Sequence, residues 1–164
     1  MPQTIAKASE PETAVAGRVL LVDDQPEVRR VVRRSLAKAG YLVTEAWNGR
    51  IAIELARQTA FDVVISDVRM PDMDGLDLLT ALHEYDPNLP VVLTSGSPGP
   101  PSVVQTRMMG AFAFLEKPVP FETMRETTRL AVEQRRGAAE QEPFEPFASL
   151  ERLRVARPDD GDDD

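Results

Sequence analysis

Five short apolar runs, each followed by a segment whose apolar residues recur on one side at helical spacing, leave few folds open to this chain. The runs cover residues 18–22, 41–45, 61–67, 90–94 and 111–115. The helical segments cover about 26–39, 49–58, 74–85, 102–109 and 119–136. Strands that are apolar throughout are covered on both faces, and helices between them call for parallel pairing. The expectation is an α/β fold, a five-stranded parallel sheet with helices on both faces and right-handed crossovers.

Local signals place the ends of these elements. Pro26 suits the first turn of a helix, where a missing N–H costs nothing, and Gly40 is a natural stop. Val28, Val31, Val32, Ser35, Leu36 and Ala39 form the expected inward face of that helix. Its outward face carries Arg29, Arg30, Arg33, Arg34 and Lys38. Asp74 is the expected N-cap of the third helix, with Leu76, Leu79 and Leu82 facing inward. His83, the only histidine, lies there among polar neighbours and is expected to be exposed. Residues 95–101, rich in Pro and Gly, read as a loop before a short fourth helix.

The 164 residues have room for one compact domain with tails, divided here into a flexible leader (1–17), a globular part (18–136) and an acidic, disordered tail (137–164). The formal charge is −8. The globular part holds sixteen acids against fifteen bases, while the tail holds nine against three. Neither part offers the basic stripe of a nucleic-acid binder, so no direct nucleic-acid contact is expected. Cysteine is absent, which excludes disulfides and thiolate metal sites. No signal peptide and no membrane-length apolar run is read, so the expected location is the cytoplasm.

The chemistry gathers where the strands stop. The first ends in Asp23 and Asp24, the third in Asp67, the fourth in Thr94, and the fifth runs into Lys117. In a parallel sheet these ends share one edge, the edge at which open α/β sheets bind ligands. Taken singly, Asp23 and Asp24 read as a helix cap, Lys117 as a surface lysine and Phe114 as core packing. Together they are harder to dismiss. Three converging carboxylates repel one another unless a cation sits among them. Oxygen-only ligands with room for water suit Mg²⁺. Lys117 and Thr94 add a positive charge and a hydroxyl donor, which completes a pocket for a phosphoryl group carried by a carboxylate nucleophile, Asp67. Asp72-Met73-Asp74-Gly75 is no Ca²⁺ loop, because the ligand positions would fall on Met70 and Ala81.

Leu21-Val22-Asp23-Asp24, Ser66-Asp67 with Met70-Pro71-Asp72-Met73-Asp74-Gly75, Thr94-Ser95 and Gly110-Ala111-Phe112-Ala113-Phe114-Leu115-Glu116-Lys117-Pro118, in that order, resemble the receiver domains of bacterial two-component response regulators, the CheY-like family. The resemblance covers about residues 18–136. It implies a flavodoxin-like, doubly wound sheet of order 2-1-3-4-5. It also implies that Asp67 accepts phosphate from the phosphohistidine of a histidine kinase or phosphotransfer protein. Asp24, Asp67 and the Arg69 backbone carbonyl would ligate Mg²⁺, with Asp23 acting mainly through water. Thr94 and Lys117 would hold phosphoryl oxygens, the Lys117–Pro118 peptide would be cis, and Thr94 and Phe114 would form the switch. Arg69, two positions after Asp67, would influence water access. Such a protein catalyses only its own Mg²⁺-dependent phosphorylation and dephosphorylation. With no DNA-binding module in residues 137–164, the expectation is a stand-alone receiver with a separate, unknown downstream target. The competing expectation is a receiver-like adaptor that acts by protein contact without phosphorylation.

Overall fold

A computed structural model describes residues 15–96 and 101–140, with side chains to residue 138. Five strands alternate with five helices: β1 (Gly17–Val22), α1 (Pro26–Lys38), β2 (Tyr41–Ala46), α2 (Gly49–Gln58), β3 (Val63–Asp67), α3 (Gly75–Tyr85), β4 (Val91–Ser95), α4 (Val103–Met108), β5 (Ala113–Glu116) and α5 (Phe121–Glu140). The strands form one sheet in the order β2-β1-β3-β4-β5 with every pair parallel. The doubly wound α/β fold expected from the sequence is the fold observed.

Alternation along the strands splits the core into two layers. Leu20 and Val22 of β1, Val64 of β3 and Leu93 of β4 pack with Ala52 of α2 and Leu78, Leu79 and Leu82 of α3. Val19, Leu21, Val63, Ile65 and Val92 point the other way, toward Leu36 of α1 and Met124, Ala131 and Val132 of α5. Leu78, Leu79 and Leu82 are at most 1% exposed, and each contributes about 2 kcal/mol by its burial. The inward face of α3 is thus 78, 79 and 82, and Leu76 is only partly buried.

Helix ends follow the expected chemistry with some displacement. Asp74 caps α3 by accepting from the Asp77 amide, and Asp77 returns the bond. Pro26 begins α1, and Gly40, at a φ of 97°, ends its turn. Val31 and Ala39 lie outside the buried face of α1, because the helix turns them toward solvent while Ser35 and Leu36 go in. The fifth strand starts at Ala113 rather than 111, since the Ala111 amide is taken by the Thr106 carbonyl at the end of α4. β1 begins at Gly17, inside the expected leader, and α5 runs through Gly137 into the expected tail. Residues 1–14, 97–100 and 141–164, which hold most of the expected leader and tail and part of the Pro/Gly loop, lie outside the described residues.

His83 is half-buried, not exposed. Its Nε2 lies 2.8 Å from the Leu89 carbonyl oxygen, and its ring packs over Gly110, which has no side chain to keep it away. Among the described residues no helix is long and apolar enough to cross a membrane.

Candidate functional site

Register brings the expected groups to one edge. Asp67, the last residue of β3, pairs with Thr94 of β4, and both are buried. β1 continues into Asp23, which is buried, and Asp24, which is exposed. Lys117 follows β5, and its amide donates to the Ser95 carbonyl at 2.8 Å, which fixes the base of its side chain. The Lys117–Pro118 peptide is cis, as expected.

The side chains converge. Lys117 Nζ lies 3.2 Å from Asp23 Oδ2 and 3.5 Å from Asp67 Oδ1. Asp23, Asp24 and Asp67 each offer a carboxylate oxygen, and these oxygens lie within 4.8 Å of one another. Three acids against one lysine leave a local surplus of negative charge. Burial raises the Asp67 pKa above its ordinary value; Lys117 opposes that rise, while Asp23 and Asp24 add to it. An all-oxygen donor set with unbalanced negative charge, partly buried and open at Asp24, fits a hard divalent cation. The acidic cluster is consistent with a metal site.

The loop after β3 is shaped to hold Asp67 from behind. The Val68 amide donates to the Thr94 carbonyl and the Gly75 amide to the Val68 carbonyl, both at 2.8 Å. A Cβ at position 75 would sit 2.5 Å from the Asp67 carbonyl oxygen, so α3 approaches this closely only because residue 75 is glycine. Asp72 takes a φ of 70° in the same loop, a left-handed conformation that aspartate tolerates better than most residues. Met73 reaches across to α2, occupying the space a side chain on Gly49 would need.

Phe114, on β5, is partly buried and packs with the α2–α3 layer. Arg69 is exposed at the start of the loop after β3.

The sequence reading missed one feature. Arg29, assigned to a solvated face, donates from a terminal guanidinium nitrogen to the Asp23 carbonyl at 2.6 Å and from Nε to Glu45 at 3.0 Å. Arg33 grips the other Glu45 oxygen at 2.7 Å. Glu45 reaches them because it pairs with Leu21 near the end of β1. The pair thereby ties β2 and α1 to the backbone that presents Asp23. Only the strand pairing could have signalled this.

The comparisons agree with this geometry. Residues 19–129 match the model of the response regulator receiver domain. The C4-dicarboxylate transport transcriptional regulatory protein DctD of Pseudomonas aeruginosa is 41% identical over 119 residues, 73% of this chain and 26% of that protein. The DNA-binding transcriptional regulator NtrC of Escherichia coli is 39% identical over 102 residues, 62% of this chain and 22% of the relative. The chain spans about a quarter of the length of these curated relatives. Among solved structures, the chemotaxis protein CheY4 of Vibrio cholerae superposes with a TM-score of 0.67 at 33% identity, covering 72% of this chain and 99% of that one. Fold order, converging acids and matched residues lead to one conclusion: the chain belongs to the response regulator receiver domain family.

Proposed function

We propose that this receiver is switched by transfer of a phosphoryl group to Asp67 from the phosphohistidine of a histidine kinase or phosphotransfer protein. The observation that carries the reading is the convergence of Asp67, Asp23 and Lys117 at contact distances on the sheet edge. An Asp67 carboxylate oxygen attacks phosphorus, the phosphorus–nitrogen bond of the donor breaks, and the imidazole leaves with the electron pair and takes a proton. Lys117 sets a fixed positive charge against the phosphoryl oxygens, and Thr94, one strand over, supplies a hydroxyl to one of them. Mg²⁺ would be held by Asp24, Asp67 and the Arg69 carbonyl, with Asp23 through water, and would neutralise phosphoryl charge. The protein catalyses only its own phosphorylation and dephosphorylation.

The output is a change in partner binding. Thr94 drawn toward the phosphoryl group opens space for Phe114, and the face of α4, β5 and α5 is remodelled. Moving such an equilibrium from 1:99 to 99:1 takes a differential of about 5.5 kcal/mol. The partner is a separate protein in the free-standing arrangement and an attached domain in the arrangement suggested by the transcriptional regulators above. An immunoblot of native host lysate separates them: a band at 18.1 kDa supports the first and a much larger band the second.

Incubation with Mg²⁺ and acetyl phosphate is expected to add the mass of one phosphoryl group, and Asp67→Asn to abolish the gain. No gain in the wild type would leave the contact-only adaptor as the better reading. The exposed basic residues of α1 are placed to receive an acidic phosphodonor surface. Charge reversal at Arg30 and Arg33 is expected to slow phosphotransfer several-fold and flatten its salt dependence; rates equal to wild type at low salt would refute that docking.

A further inference from the structure

The backbone between β1 and α1 carries two of the three acids, and it holds them differently. Every polar atom of Asp23 is engaged. Its amide donates to the Ala46 carbonyl at 3.1 Å, its Oδ1 accepts from the Gln25 amide at 2.9 Å, and its Oδ2 accepts from Lys117. Its carbonyl oxygen accepts from Arg29 Nη1 at 2.6 Å. Asp24 is exposed, and its carboxylate has no hydrogen bond or ion pair among the described residues. It nevertheless offers an oxygen within 4.8 Å of oxygens on Asp23 and Asp67. The backbone, rather than a side-chain partner, sets where Asp24 points.

Arg29 is placed to govern that backbone. Helical side chains lean toward the N-terminus of their helix, so residue 29 of α1 reaches back over the loop after β1. A cation near this end opposes the helix dipole, and the Arg29 side chain is only 15% exposed. Glu45 offsets both costs. It lies opposite Leu21 on β2, accepts from Arg29 Nε at 3.0 Å, and has its other oxygen gripped by Arg33 at 2.7 Å. The rigid guanidinium fork thus has two fixed directions, one toward Glu45 and one toward the Asp23 carbonyl. Because the Asp23–Asp24 peptide is planar, holding its oxygen also fixes the Asp24 N–H and the point from which the Asp24 side chain starts. Gln25, the N-cap of α1, makes no side-chain capping bond that could brace the loop instead.

We propose that Arg29, braced by Glu45, is a positioning residue for Asp24: it orients the Asp23–Asp24 peptide so that the Asp24 carboxylate is aimed at the divalent cation. This role presupposes the Mg²⁺ reading of the acidic cluster given above. A simple charge effect would have the opposite sign. Arg29 is a cation bonded to the backbone of one of three acids, so on charge alone its removal tightens cation binding. Loss of positioning weakens it.

The probe is Mg²⁺ alone, titrated into the full unphosphorylated chain and followed by calorimetry and by the amide shifts of Asp24 and Trp47. Trp47 follows Ala46, whose carbonyl holds the Asp23 amide. Arg29→Ala is expected to weaken Mg²⁺ binding roughly tenfold. Arg29→Lys keeps the charge and loses the fork, so it should also weaken binding several-fold, which decides the matter if Arg29→Ala fails to fold. In metal-free Arg29→Lys the order parameter of the Asp24 amide should fall while that of Asp67 stays at its wild-type value. Unchanged or tighter Mg²⁺ binding in folded Arg29→Ala, or wild-type affinity in Arg29→Lys, overturns the positioning role and leaves the metal site standing. Absence of saturable Mg²⁺ binding in the wild type overturns the metal site itself, and the positioning role with it.

Discussion

Asp67, which is buried, and Asp86, which is partly buried, are aspartates at the ends of regular elements, and their surroundings push them in opposite directions. Asp67 closes β3 at the carboxyl edge of the sheet, and burial with two neighbouring acids holds its pKa above the ordinary value in spite of Lys117. Asp86 follows α3 at the opposite edge. Burial alone would raise its pKa too, but the Arg135 guanidinium grips both carboxylate oxygens, at 2.5 and 3.2 Å, and the net shift is downward. One edge has its charge satisfied, and the other keeps negative charge in surplus. The contrast separates residues that stabilise the fold from residues that await a cation or a phosphoryl group.

Three substitutions test that division. Gly75→Ala is expected to have the largest effect, about 3 kcal/mol of stability together with loss of phosphorylation, because the added methyl meets backbone at 2.5 Å rather than a side chain that could move. Chemical denaturation checks it, and a neutral outcome would mean that the site edge is not held by close backbone approach. Arg135→Ala should cost about 2 kcal/mol at neutral pH, since both partners of the pair are largely shielded from water. Its pH dependence carries the sign. Asp86 has a folded pKa below its ordinary 3.8, so the pair's contribution is full above that value and is lost as pH falls through the lower folded value. The stability gap between wild type and variant should therefore close on acidification; a gap that widens would break the comparison. Asp67→Asn has the smallest expected effect and the opposite direction, a gain of about 1 kcal/mol without divalent metal, as one of three crowded charges is removed. Added Mg²⁺ should narrow the difference from wild type, and a loss of stability in metal-free buffer would count against surplus charge at this edge.

Much of this was legible in the sequence because strands buried on both faces announce themselves. Val19 to Val22 and Val63 to Asp67 need no partner to be recognised, and their parallel arrangement follows from the helices between them. Asp23, Asp67 and Lys117 could be grouped before any coordinates, since topology alone puts strand ends on one edge. What could not be read depends on which side chains meet across elements. Arg29 looked like solvated charge because Glu45 lies on another strand. His83 looked exposed because its polar neighbours in sequence are not its neighbours in space, and only the bare backbone of Gly110 gives its ring a seat. Leu76, Leu79 and Leu82 formed an attractive period, yet the true buried set includes Leu78, since α3 meets the sheet over a broader arc than a three-residue stripe allows.

The continuity of α5 has a mechanical consequence. Its twenty residues form a rod of roughly 30 Å whose first turn, at Phe121, adjoins Lys117 and Pro118. Pivoted there by about 5°, such a rod carries its far end through roughly 2.6 Å, a displacement that the rigidity of a helix passes on undiminished. A small tilt beside the lysine would thereby displace Glu140 the most, at the end remote from the acids.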